Sequence, residues 1–215
     1  KKIEIQSFCI MQEQEVIKIL RKDLDFKDGS IIKLKLFSKS LISANQKHNF
    51  ISKSTEKDLW ERHILDSAQL VKFIDFRRGS LADLGSGAGF PGIVLAIFND
   101  NKAFHVKLYE KSPVKRKFLE KIIKNLDIKA NVYSNVYDEK VKIEASIVVC
   151  RAFKKLEQVI QVSREIIQKP YKLIVLKGRN AQDEIEKAFK IRKYDYKIEN
   201  SMTSKDSKII VISFN

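Results

Sequence analysis

The segment richest in chemistry is Asp83-Leu84-Gly85-Ser86-Gly87-Ala88-Gly89-Phe90-Pro91-Gly92. Its glycines let the backbone take positive φ and let a ligand approach with no Cβ in the way. Gly87-x-Gly89-x-x-Gly92 satisfies the spacing of a dinucleotide turn. The apolar run before it sets a different register, Asp83-x-Gly85-x-Gly87-x-Gly89, with an acid two residues ahead of the first glycine. A carboxylate there suits an ammonium, reached directly or through water, and offers nothing to a pyrophosphate. The pattern favours S-adenosylmethionine over a nicotinamide dinucleotide, held by Asp83, Gly85, Gly87 and Gly89. Glu110 ends the next apolar run, HVKLYE, about 20 residues beyond the turn, where an acid accepts both hydroxyls of a ribose.

These residues need a scaffold that brings two strand ends together. From Ser80 onward short apolar runs alternate with helical stretches: SLADL, HVKLYE, ANVYS, ASIVVC and YKLIVLK read as strands, and YDYKI and KIIVIS as a closing hairpin. Such alternation builds an α/β fold with a mostly parallel, Rossmann-like sheet and helices on both faces. The first third has helical periodicity instead. Val16, Ile17, Ile19, Leu20 and Leu24 suit one helix, and after an Asp28-Gly29-Ser30 turn Ile31, Leu34, Leu41 and Ile42 suit a second. A third starts near Thr55, where Thr55-x-x-Asp58 resembles a capping box, and runs to about Ile74. The spacing predicts an N-terminal helical extension over 1–78 and a sheet domain over 79–215, with the boundary at Arg77-Arg78-Gly79.

Composition bounds the function. With 44% hydrophobic and 32% charged residues, 7 Gly and 3 Pro, the chain is globular and neither disordered nor collagen-like. No apolar run approaches the ~18 residues of a membrane span. Two cysteines, Cys9 and Cys150, cannot build a disulfide framework or a zinc site, and a reduced cytosol is the simplest reading. The chain begins at Lys1, so something upstream has been trimmed, and its start does not read as a signal peptide. No His/Cys spacing suggests a metal. The 42 Lys+Arg against 27 Asp+Glu leave a net charge of +15, which points to nucleic acid. The alternative is a lysine-rich composition spread over solvated faces. The densest run is Lys111, Lys115, Arg116, Lys117, Lys121 and Lys124.

Several short segments in fixed order resemble one family. They are Arg62-His63-Ile64-Leu65-Asp66-Ser67, Asp83 through Gly92, Lys115-Arg116 with Phe118-Leu119, Arg151-Ala152-Phe153, and Leu176-Lys177-Gly178. Ala44-Asn45-Gln46-Lys47-His48-Asn49-Phe50 looks like a diverged form of a further family segment. Together they are similar to the bacterial glucose-inhibited division protein B family, over roughly residues 30–215. The resemblance implies a class I S-adenosylmethionine-dependent methyltransferase sheet. It also implies an enzyme that methylates N7 of a guanine in 16S ribosomal RNA, guanine 527 of that RNA. The partner implied is the 16S rRNA or the small ribosomal subunit, with no membrane and no metal, and the enzyme a cytoplasmic monomer.

Carried over by position, the family's donor-site glycine falls on Gly85, and the residue lining the far side of the loop on Phe90. The pair contacting adenosine, usually a small residue followed by Glu, falls on Val136-Tyr137. Tyr137 lacks the carboxylate, Asn135 stands where the family usually has Arg, and Asp138 and Glu139 follow. Arg151 matches a family arginine after the fourth strand, in donor or RNA binding. His63 and Asp66, at i and i+3 of a helix, are implied near the cleft. Arg151, His63 and Lys177 are the candidates for a direct part in catalysis, and Arg62, Lys115, Arg116, Lys154, Lys177 and Arg179 for holding RNA.

Guanine N7 carries a lone pair and no proton, so transfer needs alignment and water exclusion rather than a general base. The absence of an acid–base dyad from the sequence agrees with this. Two other classes stay open. A nicotinamide oxidoreductase is opposed by Asp83, and a non-catalytic RNA-binding or assembly module is favoured by the altered Asn135-Val136-Tyr137 segment.

Overall fold

The computed structural model describes residues 11–136, 142–190 and 194–215. A seven-stranded sheet has the order β3-β2-β1-β4-β5-β7-β6. Its strands are β1 (Ser80–Leu84), β2 (His105–Tyr109), β3 (Ala130–Tyr133), β4 (Ile147–Arg151), β5 (Tyr171–Lys177), β6 (Asp195–Asn200) and β7 (Lys208–Phe214). β1 to β5 run parallel, while β7 lies antiparallel to both β5 and β6. The chain leaves β1 for β2 on one side and later returns to place β4 on the other. Ligands of such sheets bind in the crevice that opens at this reversal, outside the carboxyl ends of the strands.

Side chains alternate between the two faces of the sheet. Leu81, Val106, Leu108, Ile147, Val149, Ile174 and Leu176 share one buried cluster with the N-terminal helices and with α5 (Gly92–Phe98) and α6 (Pro113–Leu126). Ala82, Leu84, Val148, Cys150, Leu173 and Val175 face the other cluster, beneath α7 (Leu156–Ile166) and α8 (Ala181–Lys190). Burial on both faces explains why these strands read as continuous apolar runs rather than alternating ones. The helices α1 (Glu13–Lys22) and α2 (Asp28–Asn45) put Val16, Ile17, Leu20, Leu34, Phe37 and Leu41 into the first cluster at helical spacing. Ser30 Oγ adds a tie, donating to Ile97 O of α5 at 3.0 Å.

Two local expectations are corrected. Asp28-Gly29-Ser30 is the first turn of α2 rather than a separate turn. The expected third helix is a series of short pieces. They are α3 (Lys53–Glu56), a π-helical segment Trp60–Leu65, α4 (Asp66–Ala68) and a 3-10 segment Gln69–Phe73. Thr55 lies inside α3 and is no cap; Asp58 is buried and meets Arg62 at 3.5 Å. Isolated π turns inside helices recur at functional sites because they re-aim side chains, and this one carries Arg62 and His63.

Candidate functional site

The glycine turn joins β1 to α5. Gly85, Gly87 and Gly89 hold φ of +76°, +58° and +105°, a region L side chains seldom adopt. Asp83 shares the pleat of Leu81 and so points toward α5, beneath the turn. It is fully buried, and its Oδ2 accepts from Gly92 N–H at 2.9 Å. A pyrophosphate would need that helix N-terminus, and Asp83 already holds it, which counts against a dinucleotide. Asp83 Oδ1 is buried with no hydrogen-bond partner among the described residues. Burial raises the Asp83 carboxyl to about 7, opposed by Ser86 and Gly92. An orphaned, fully buried carboxylate oxygen at this crevice fits a donor that brings an ammonium.

Glu110 follows β2 and is buried. Its Oε2 accepts from Gly87 N–H and its Oε1 from Ser112 N–H, both at 2.8 Å. The acid expected to meet a ribose thus also fastens the glycine turn to the neighbouring strand, and each oxygen keeps a second lone pair. Arg116, expected on RNA, donates through Nη1 to Glu110 O at 3.0 Å and Lys111 O at 2.8 Å, holding the turn that carries Glu110. Lys115 lies on the same helix, its N–H capped by Ser112 Oγ at 3.5 Å. Val136 is buried after β3. Tyr137 lies outside the described residues.

Arg151, at the end of β4, is the hub of the opposite wall. Its Nη1 donates to Arg62 O at 2.9 Å and Asp66 Oδ2 at 3.2 Å, while Nη2 meets His63 Nδ1. Arginine can only donate, so His63 Nδ1 accepts, and its Nε2–H is left to donate to Thr55 Oγ1 at 3.1 Å. Burial, Arg151 and Arg62 push the imidazole down to about 3, so it stays neutral. Both ring nitrogens of His63 are thus engaged, one by Arg151 and the other by Thr55. Phe90 is buried against Phe37 and against His63, with ring centroids 5.3 and 5.0 Å apart, and Arg151 lies over its ring at 5.7 Å. It wedges the turn against the N-terminal helices.

Asp66 extends this wall. Besides Arg151, its Oδ1 accepts from Gln69 Nε2 and Thr203 Oγ1, both at 3.0 Å, and from Ser201 Oγ at 3.4 Å. Burial raises its carboxyl, and Arg151 and these donors oppose that rise. Ser201 and Thr203 belong to the loop between β6 and β7. Their role was invisible in the sequence, because nothing in a serine- and threonine-containing turn specifies a partner more than a hundred residues away.

Beyond Arg151 a cleft of about 910 Å³ opens between the π segment, the ends of β4 and β5, and the β6–β7 loop. Arg62, His63, Arg151, Lys154, Lys177 and Arg179 all line it. Lys177, its side chain 9% exposed, pairs with Glu184 at 2.8 Å and donates to Lys154 O, so it sits inside the wall rather than on its surface. Arg179 is exposed. Phe153 lines the same cleft, and a Cβ added to Gly85 would come within 2.6 Å of its ring, so it stands directly before the glycine turn. Cys150 is buried, its thiol pushed up to about 12, and has no nucleophilic character at neutral pH. Among the described residues no cluster of ligating side chains could hold a metal, and no helix is long and apolar enough to cross a membrane.

A family model described as rRNA small subunit methyltransferase G matches residues 30–211. The chain is 40% identical over 183 residues to the ribosomal RNA small subunit methyltransferase G of Rickettsia felis, covering 85% of this chain and 93% of that one. It is 34% identical over 197 residues to the protein of the same name from Pelagibacter ubique, covering 90% and 92%. Among solved structures, a SAM-dependent O-methyltransferase from Thermotoga maritima superposes with a TM-score of 0.57 at 14% identity, over 69% of this chain and 64% of that one. A SAM-dependent methyltransferase from Aquifex aeolicus gives 0.55 at 10% identity, over 82% and 97%. These two likenesses establish the fold.

Proposed function

The chain belongs to the rRNA small subunit methyltransferase G family, enzymes that methylate rRNA with S-adenosylmethionine, and from that premise we propose that its acceptor is N7 of a guanine in 16S ribosomal RNA, at position 527. The enzyme acts as a cytoplasmic monomer on the RNA or on the small subunit. The observation that carries the reading is the acid-led glycine turn with the unpartnered Asp83 Oδ1 beneath it, opening beside a basic cleft.

Each group has a place in this chemistry. Asp83 Oδ1 would take the donor's ammonium, Glu110 the ribose, and the bare backbone of Gly87 would let the nucleoside lie close, while Gly85 gives its space to the Phe153 ring. When bound, the donor supplies a methyl on sulfur, and that bond's electron pair returns to sulfur as the N7 lone pair forms the new bond. The protein moves no proton in this step, which agrees with a His63 held neutral and a buried, inert Cys150. Its work is to align the base and exclude water. N7 lies in the deep groove of an RNA helix, so the acceptor is best reached in a loop or single strand. The cationic rim of the cleft would hold the flanking phosphates.

Mass-spectrometric mapping tests the reading. Small-subunit rRNA lacking the modification, incubated with this protein and S-adenosylmethionine, should gain 7-methylguanosine at that one position. A methyl group at another atom or base would overturn the N7 assignment. S-adenosylhomocysteine binding without any transfer would favour an assembly role instead.

A further inference from the structure

Most residues that line the cleft are charged or polar, and one aromatic ring, that of Phe153, is set among them. Phe153 lies two residues beyond Arg151, half-buried, with one side against the second hydrophobic cluster and one edge on the glycine turn. The residue before it, Ala152, is exposed and holds a φ of +50°. A residue with a Cβ pays a conformational penalty there, so the backbone is bent against its preference at the point that aims the ring. The ring occupies the reversal crevice between β1 and β4, on the boundary between the turn that would hold the donor and the cleft that would hold RNA. The ring already holds a cation, with Lys154 Nζ 5.8 Å over its centroid, and a base stacking on that face would take the place of the exposed lysine side chain.

We propose that Phe153 is the platform on which the acceptor base stacks, and that its ring favours the transfer as it proceeds. This rests on the N7 reading above. A guanine that offers its N7 must leave its own stack, and aromatic side chains replace the lost contact. Methylation at N7 leaves the purine cationic. A ring face that accepts Lys154 attracts that charge as it develops, so the contact strengthens between ground state and transition state. No covalent step involves the ring.

The test compares Phe153→Leu, which keeps apolar bulk, with Phe153→Tyr, which keeps the ring. Three quantities are measured: methyl transfer to small-subunit rRNA, S-adenosylhomocysteine affinity by calorimetry, and the fluorescence of RNA carrying 2-aminopurine at the target guanine. Phe153→Leu should lose about ten-fold or more in transfer and the stacking quench of 2-aminopurine, with donor affinity within about two-fold of the parent. Phe153→Tyr should restore both. The proposal fails if Phe153→Leu matches the parent in transfer and quench. It also fails if donor affinity falls in step with transfer in that variant, since the ring would then only shape the donor pocket. If the parent protein itself forms no 7-methylguanosine, both the N7 reading and the platform fall together.

Discussion

The two walls of the crevice are built differently. The glycine turn is fixed by partners near in sequence or on the adjacent strand: Asp83 holds Gly92, and Glu110 holds Gly87 and Ser112. The opposite wall is fixed by residues far apart, with Arg151 reaching back to Arg62, His63 and Asp66, and Thr203 reaching back to Asp66. One wall carries its geometry wherever its segment folds. The other exists only when the N-terminal helices, β4 and the β6–β7 loop have all docked. Damage to the second wall should therefore register as lost stability, and damage to the first as lost donor binding.

The largest effect should come from Asp66→Ala. It leaves the Arg151 guanidinium partly buried without its carboxylate and strips Gln69, Ser201 and Thr203 of an acceptor. Breaking such a group by removing one partner costs about 2–3 kcal/mol. Urea unfolding should show the loss as a lower midpoint with an unchanged slope. A midpoint equal to the parent's would mean that the far wall does not depend on this carboxylate.

Asp83→Asn probes the near wall, and there pH is the lever. The folded protein holds the Asp83 proton up to about pH 7, while an unfolded aspartic acid gives it up near 3.8. Stability from this group is therefore full below the unfolded value and is lost as pH rises through 7. Asparagine still offers an oxygen to Gly92 N–H and carries no charge to bury. The variant should equal or exceed the parent in stability above pH 7, with the difference vanishing toward pH 4, and should bind S-adenosylhomocysteine about ten-fold more weakly. Parallel stability curves from pH 4 to 8 would show that the buried carboxyl does not titrate between these limits.

Legibility in the sequence follows the same division. The strands, the closing hairpin and the acid-led glycine turn all show in the sequence because alternation, glycine spacing and the position of Glu110 are short-range signals. The broken helix around Trp60–Leu65 does not, since helical periodicity cannot register a π turn. Arg116 is expected on RNA through the family segment it belongs to, and the turn it also braces in the fold could not be read from that segment. Phe153 stands in a recognisable segment, but only the reversal of strand order at β1 and β4 shows that it faces Gly85. Asp66 is visible as a polar helix residue, while its partners on a loop 135 and 137 residues away are set by tertiary structure alone.

The smallest effect separates two cations that the sequence presents as equivalents. Lys177 and Arg179 both line the cleft and lie two residues apart. Lys177 is tied to Glu184 and Lys154 O, so it cannot turn to a phosphate without giving up a partly buried ion pair. Arg179 is exposed at the rim and can. Arg179→Gln should leave the melting temperature unchanged, weaken rRNA binding several-fold at low salt, and reduce the salt-dependence slope by about one phosphate's worth. Lys177→Met should instead lower stability while leaving that slope close to the parent's. Titrations of rRNA binding across a range of salt concentrations, beside thermal unfolding of both variants, measure the two effects independently. A reversed pattern would mean that Lys177 leaves Glu184 when RNA binds, and that the cleft wall rearranges around its substrate rather than waiting for it preformed.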